Sequence, residues 1–231
     1  MTESVRRPRG RPSSEQGETR EALLQAAQSL FAQRSFMQVG IRDIAEAAGV
    51  AVGSISYHFG SKEGLLEALC DRITPALLED RIARLKAVRL MGGSRNEQIR
   101  AVLRALIEPV LEWSQRPDTQ LFFAPFMTRV RLDGPQRIRD MMRMEVASLR
   151  PFHDALAQLL PELNEAEIGW RLHFALAIEH AMTADMERLH VLTQGASEGE
   201  SMERMIERVI DFLMDGGFGS PTALAPASRM A

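Results

Sequence analysis

From Thr19 to about residue 215 the apolar residues recur at three- and four-residue intervals, and no stretch alternates apolar with polar every second residue. That periodicity restricts the chain to an all-α architecture, because a sheet needs period-two faces to bury. Punctuation at Gly92-Gly93, Arg116-Pro117, Gly134-Pro135, Leu160-Pro161 and Gly195 predicts helices near 95–115, 118–132, 136–159, 164–193 and 200–215. Pro75, Pro109 and Pro151 fall inside helical patterns and are expected to kink or break them.

The first 18 residues lack this spacing and hold Arg6, Arg7, Arg9 and Arg11 around Pro8 and Pro12, a composition that cannot bury enough surface to offset ordering. A disordered basic arm is expected, serving either as a solvated tail or as a strand that reaches DNA grooves and phosphates. The overall charge of -3 conceals an asymmetry: residues 1–62 carry a net +2. A single cysteine, Cys70, precludes an intrachain disulfide, and its apolar neighbours Leu65, Leu66 and Leu69 suggest a buried, inert thiol. Without an apolar run of membrane-spanning length or a signal-peptide core, a cytoplasmic protein is expected.

Between the arm and residue 66 the helices are short. Leu23, Ala27, Leu30 and Phe31 mark a first helix, with Thr19 as its cap. Ile41, Ile44, Ala45 and Ala48 mark a second, ended by Gly49, and Val52, Ile55 and Phe59 mark a two-turn third, closed by Gly60. Ser61 caps a longer fourth helix bearing Leu65, Leu66, Leu69, Ile73 and Leu77. Two short helices about a glycine turn make the helix-turn-helix pattern. The run Ile41-Arg42-Asp43-Ile44-Ala45-Glu46-Ala47-Ala48-Gly49-Val50, then Gly53, then Tyr57-His58-Phe59-Gly60-Ser61-Lys62-Glu63-Gly64-Leu65-Leu66, strongly resembles the tetracycline-repressor (TetR) family over about residues 19–68.

The resemblance implies a three-helix DNA-binding domain (19–66), joined by its fourth helix to a ligand-binding and dimerisation domain (67–217) and followed by a loose tail (218–231). Tyr57 and Lys62 match family positions that contact phosphate. Ser54 and Ser56 are short enough for base edges, Arg42 and His58 can meet the backbone, and a side chain at Gly53 would push the recognition helix off the groove. A solvated face would account for Ser54, Ser56 and Arg42 as well. Three positions depart from the family pattern: Ser35 for a glycine, Gly40 for a hydroxyl residue before the second helix, and Ala51 for the hydroxyl cap of the third. Losing such a cap costs about 1 kcal/mol.

In the family the last two long helices pair with those of a second subunit. Here that implies a homodimer through Trp170, Phe174, Ala177, Ala181, Met205, Val209 and Leu213, residues that could equally fill a monomer core. The stretch 166–189 also resembles the C-terminal region of fatty-acid-responsive members. Trp113, Phe122, Phe126, Met127, Met141 and Phe152 would line a pocket for a small apolar or amphipathic ligand such as a fatty acid, an acyl-thioester or an aromatic compound, or else form plain core. Arg129, Arg131, Arg137 and Arg139 are candidates for its acidic head. His173 and His180, seven apart, form a poor metal pair, and neither metal nor cofactor is expected. The motifs of nucleophile-elbow hydrolases, phosphate-binding loops and zinc helices are missing, which weighs against an enzyme and leaves a protein-interaction module as the other alternative. The expected function is a repressor released by its ligand from a near-palindromic operator.

Overall fold

A computed structural model describes residues 14–88, 92–115 and 123–218. Residues 1–13 of the expected basic arm (1–18) and Phe122 lie outside the described residues, and residues 14–18 of that arm are helical. Eleven α-helices follow in order among those described: α1 (Ser14–Gln33), α2 (Ile41–Ala47), α3 (Gly53–Phe59), α4 (Lys62–Val88), α5 (Arg95–Gln115), α6 (Phe123–Asp133), α7 (Gln136–Val146), α8 (Arg150–Leu159), α9 (Glu165–Ala184), α10 (Met186–Leu192) and α11 (Met202–Leu213). Among the described residues none lies in a strand, and no helix is long and apolar enough to cross a membrane.

Several boundaries differ from the expectation, each for a local reason. Helix α1 starts at Ser14, not after a cap at Thr19, because Gln16 and Glu18 favour helix and an acid near the N-terminus suits its dipole. The prolines at 75 and 109 do not interrupt α4 or α5. Each removes one backbone hydrogen bond, but buried Ile73 and Leu77, and Ile107 and Val110, hold the flanking turns in the core. Pro151 does mark a break, since a 3-10 turn at Ala147–Leu149 divides the expected 136–159 helix and Pro151 sits in the first turn of α8. The expected 164–193 helix divides at Asp185, which leaves helical geometry and accepts the Arg188 N–H at 3.0 Å to start α10. At the C-terminal end the winding continues as a π turn, Met214–Phe218, because Met214 and Phe218 are both buried. The tail therefore does not begin at 218.

The buried side chains form two cores. One holds Leu23, Ala27, Phe31, Ile44, Ile55, Leu65 and Leu69 together with Phe126, Val130, Ile138 and Met142 of α6 and α7. The other gathers Ile99, Leu103, Leu106, Phe152, Leu156, Ile168, Ile206 and Ile210. The N-terminal unit thus shares its core with α6 and α7, and the expected division at 66/67 is no packing boundary. Arg129 on α6 donates from Nε to the Ala32 carbonyl of α1 at 3.0 Å, so α6 bridges to the N-terminal helices alongside α4.

Candidate functional site

The α2–α3 unit is built by backbone chemistry. Gly49, at φ +66°, allows a tight reversal in which the Val50 N–H reaches the Ala45 carbonyl and the Gly49 N–H the Glu46 carbonyl, both at 3.0 Å. In place of the hydroxyl missing at position 40, the Gly40 N–H donates back to the Asp43 carboxylate at 3.0 Å. No side chain caps α3, as the alanine at position 51 implies. Ser61 caps α4 by accepting the Gly64 N–H at 3.0 Å.

Ile55 anchors α3 in the core while Gly53, Ser56 and Tyr57 face outward, Tyr57 at 72% exposure, with Ser54 and His58 half-buried. The Tyr57 and His58 rings meet edge to face at 4.9 Å, and Arg42 is exposed on α2. A methyl group built on Gly53 would meet nothing within 4 Å. Gly64 is a contrast: there the same methyl would lie 2.1 Å from the Phe59 carbonyl oxygen, so the chain's own packing requires glycine. Among the described residues nothing crowds position 53.

Lys62 turns inward. Its ammonium donates to the Phe36 carbonyl at 2.8 Å and the Val39 carbonyl at 3.0 Å, and lies 4.0 Å from the centre of the Phe36 ring. It closes the loop between α1 and α2, a role the sequence pattern did not reveal.

The C-terminal helices enclose a cavity of about 210 Å³. Its wall takes Thr74, Leu77, Leu78 and Arg81 from α4, Val110 from α5, Met127, Thr128 and Arg131 from α6, Met142 and Val146 from α7, and Leu176, Glu179, His180 and Thr183 from α9. Of the pocket residues expected from sequence, only Met127 lines it among those described. Phe126 is wholly buried in the first core, with Trp113 and Met141 packed on its edge, and Phe152 lies in the second. Of the four candidate arginines only Arg131 reaches it: Arg129 is bound to Ala32, Arg137 to Glu67, and Arg139 to the Gly134 carbonyl.

The polar wall was missed. Arg81 is buried, its Nε donating to the Leu106 carbonyl at 2.8 Å and its Nη2 to the Glu179 carboxylate. Burial drives the Glu179 carboxyl above the usual range, against the pull of Arg81 and Arg131. Burial and the charge of Arg131 push the His180 imidazole below 6.5, and its Nδ1 is bonded to the Leu176 carbonyl at 2.5 Å. One signal was present: Arg81 interrupts the stripe Leu77, Arg81, Leu85, and Glu179 directly follows the apolar run Phe174-Ala175-Leu176-Ala177-Ile178.

The expected interface residues separate. Trp170 and Phe174 stand exposed on α9 at 61% and 54%, their rings 5.7 Å apart, beside exposed His173 and Ala177. Ala181 and Met205 are half-buried, whereas Val209 and Leu213 belong to the second core. On α11 the exposed apolar residue is Phe212, at 66%.

The fold and the helix-turn-helix define a class, DNA-binding regulators. "Bacterial regulatory proteins, tetR family" matches residues 23–69, and "Tetracyclin repressor-like, C-terminal domain" matches residues 104–216. The chain belongs to the tetracycline-repressor family. The HTH-type transcriptional repressor KstR2 of Rhodococcus jostii is 36% identical over 88 residues, 38% of this chain and 39% of that protein. The match therefore spans about two fifths of that relative's length. Among solved structures, NalD of Pseudomonas aeruginosa, the secondary repressor of a multidrug efflux pump, aligns over 87% of this chain and 97% of its own at 17% identity and a TM-score of 0.57. The fatty acid degradation regulator FadR of Bacillus halodurans aligns over 85% and 98% at 15% identity and a TM-score of 0.52. At these identities the likeness is one of fold.

Proposed function

We propose that this chain is a cytoplasmic transcriptional repressor that binds a near-palindromic operator as a homodimer and is released when a small molecule enters the cavity of about 210 Å³. The observation that carries the reading is the course of α4: one unbroken helix starts at Lys62 beside the recognition helix and supplies Thr74, Leu77, Leu78 and Arg81 to the cavity wall. A ligand that packs better against one position of α4 changes the spacing of two recognition helices, and the difference in packing is the coupling. Helix α6 supports the same reading, because it lines the cavity with Met127 and Arg131 and holds α1 through Arg129.

On DNA, Tyr57 would meet phosphates, with Arg42 and His58 beside it, and Ser54 and Ser56 would approach base edges, while Lys62, its ammonium held by the Phe36 and Val39 carbonyls, would brace the α1–α2 loop. Gly53 favours this assignment, since the open space around it in the chain leaves close approach of a partner as the reason for a glycine. The exposed Trp170, Phe174 and Phe212 favour a second copy on the α9 and α11 faces, where apolar rings would otherwise remain in water. No catalytic step is assigned. The test is selection of DNA by the purified protein, followed by titration of the selected operator at several salt concentrations. Two related half-sites and an affinity that falls steeply with salt are expected. Salt-independent capture of DNA, or selection without half-sites, would overturn the reading.

A further inference from the structure

The folded helix-turn-helix unit is short of the positive charge that DNA demands. Residues 14–62 hold five acidic and four basic side chains, a net -1, whereas residues 1–13 hold four arginines against Glu3. Three of the four basic groups in the folded unit are engaged within the chain. Lys62 is held by the Phe36 and Val39 carbonyls, Arg34 lies 3.5 Å from the Asp43 carboxylate, and the Arg20 guanidinium stands 5.2 Å from the centre of the Phe59 ring. That leaves Arg42, exposed on α2. Neutralising phosphates supplies nearly all of non-specific DNA affinity and a large share of specific affinity, so most of the cations must come from the arm before α1.

The contact of Arg20 with Phe59 also fixes where the arm begins. Phe59 is the last residue of α3, and α1 runs unbroken from Ser14 past Arg20, so the arm joins α1 about 9 Å along the helix from the end of the recognition helix. At about 3.3–3.6 Å per residue, Arg11 and Arg9, three and five residues before Ser14, reach about 10 and 17 Å further. Half a turn of DNA, which separates a major groove from the next minor groove, is about 17 Å. The residue types suit that groove. Pro8 and Pro12 disfavour helix at Arg7 and Arg11 and favour an extended chain, which fits a groove about 6 Å wide that a helix cannot enter. Gly10 places no side chain between Arg9 and Arg11, so the backbone can lie close to the groove floor. A guanidinium is more weakly hydrated than an ammonium and is drawn to the narrow, strongly negative minor groove of A·T-rich DNA.

On the reading of the chain as an operator-binding repressor, we propose that Arg9-Gly10-Arg11 enters the minor groove beside each half-site and selects A·T-rich flanks, adding a second reading element to α3. The guanine amino group, which projects into the minor groove, disfavours G·C pairs there.

The test uses the operator that the full chain selects, synthesised with A·T, G·C or inosine·cytosine pairs in the roughly five base pairs on each side of both half-sites. An inosine·cytosine pair lacks the minor-groove amino group while keeping the major-groove face of G·C. In anisotropy titrations the A·T and inosine forms are expected to bind alike and the G·C form about fivefold or more weaker, the low end of the cost of one mismatched pair. Arg9→Lys with Arg11→Lys keeps the charge, so it should retain the salt slope and lose most of the flank preference. Arg9→Ala with Arg11→Ala should lose the preference and also lower the salt slope by about 0.9 per arginine. Both pairs precede α1, and unchanged melting temperatures establish the fold. Equal weakening of the alanine variant on all three flanks would make the arm a phosphate contact, and wild-type affinity of that variant would make it a solvated tail. Either result overturns the minor-groove assignment and leaves the repressor reading standing. G·C and inosine forms weakened equally would overturn that assignment too. A full chain that selects no half-sites would overturn both readings.

Discussion

Substituting Lys62 by methionine tests the clasp seen in the structure against the phosphate contact that the family resemblance implies. In the free chain the ammonium holds the Phe36 and Val39 carbonyls at 2.8 and 3.0 Å and lies over the Phe36 ring. Methionine keeps the aliphatic stem and removes the donors. Charge-assisted hydrogen bonds contribute about 1.5–3 kcal/mol each when buried, and a cation over an aromatic ring about 0.5–1 kcal/mol. The site is half-buried, so water regains part of the two carbonyls, and a net loss of about 2–3 kcal/mol is expected. For a chain of this size that lowers the melting temperature by roughly 4–12 °C. Thermal unfolding by circular dichroism measures it, and operator titration at several salt concentrations completes the test. A phosphate contact in addition to the clasp would lower the salt slope of log affinity by about 0.9, whereas a clasp alone leaves that slope unchanged. A melting temperature within about 1 °C of wild type would refute the clasp.

Gly53→Ala should raise stability by up to about 1 kcal/mol, since helix propensity improves and the added methyl meets nothing within 4 Å, yet weaken operator binding on every sequence. Unchanged operator affinity would remove the close-approach argument. His180 titrates below 6.5 in the folded chain, so between that lowered value and 6.5 the unfolded chain binds more protons and stability falls as pH drops through the window. His180→Gln should flatten that part of a urea-denaturation pH profile, and a profile identical to wild type would contradict it. Ala177→Glu and Phe212→Arg, at exposed positions on α9 and α11, should shift the sedimenting species from dimer to monomer at micromolar concentration while preserving helicity. A wild-type protein that sediments as a monomer would contradict the assigned interface.

The helical class, the α2–α3 reversal and the family were legible from the sequence, because each depends on neighbours close in the chain. Three- and four-residue spacing defines a buried stripe whatever lies across it, and Gly49 and Ser61 act on backbone groups within five residues. Helix α5 accordingly spans the expected 95–115. The cavity was not legible. Phe126 and Phe152 suit a pocket by composition, but facing helices close over both, whereas Arg81 and Glu179, 98 residues apart, become a cavity wall only when α4 and α9 pack. Lys62 is another case: its carbonyl partners lie 23 and 26 residues earlier, beyond what local spacing records. Local sequence determines which face of each helix must leave water. Which helix covers that face, and which polar groups are trapped where the cover is incomplete, depends on long-range packing, where free energy comes from filling space among distant segments and not from any single segment's pattern.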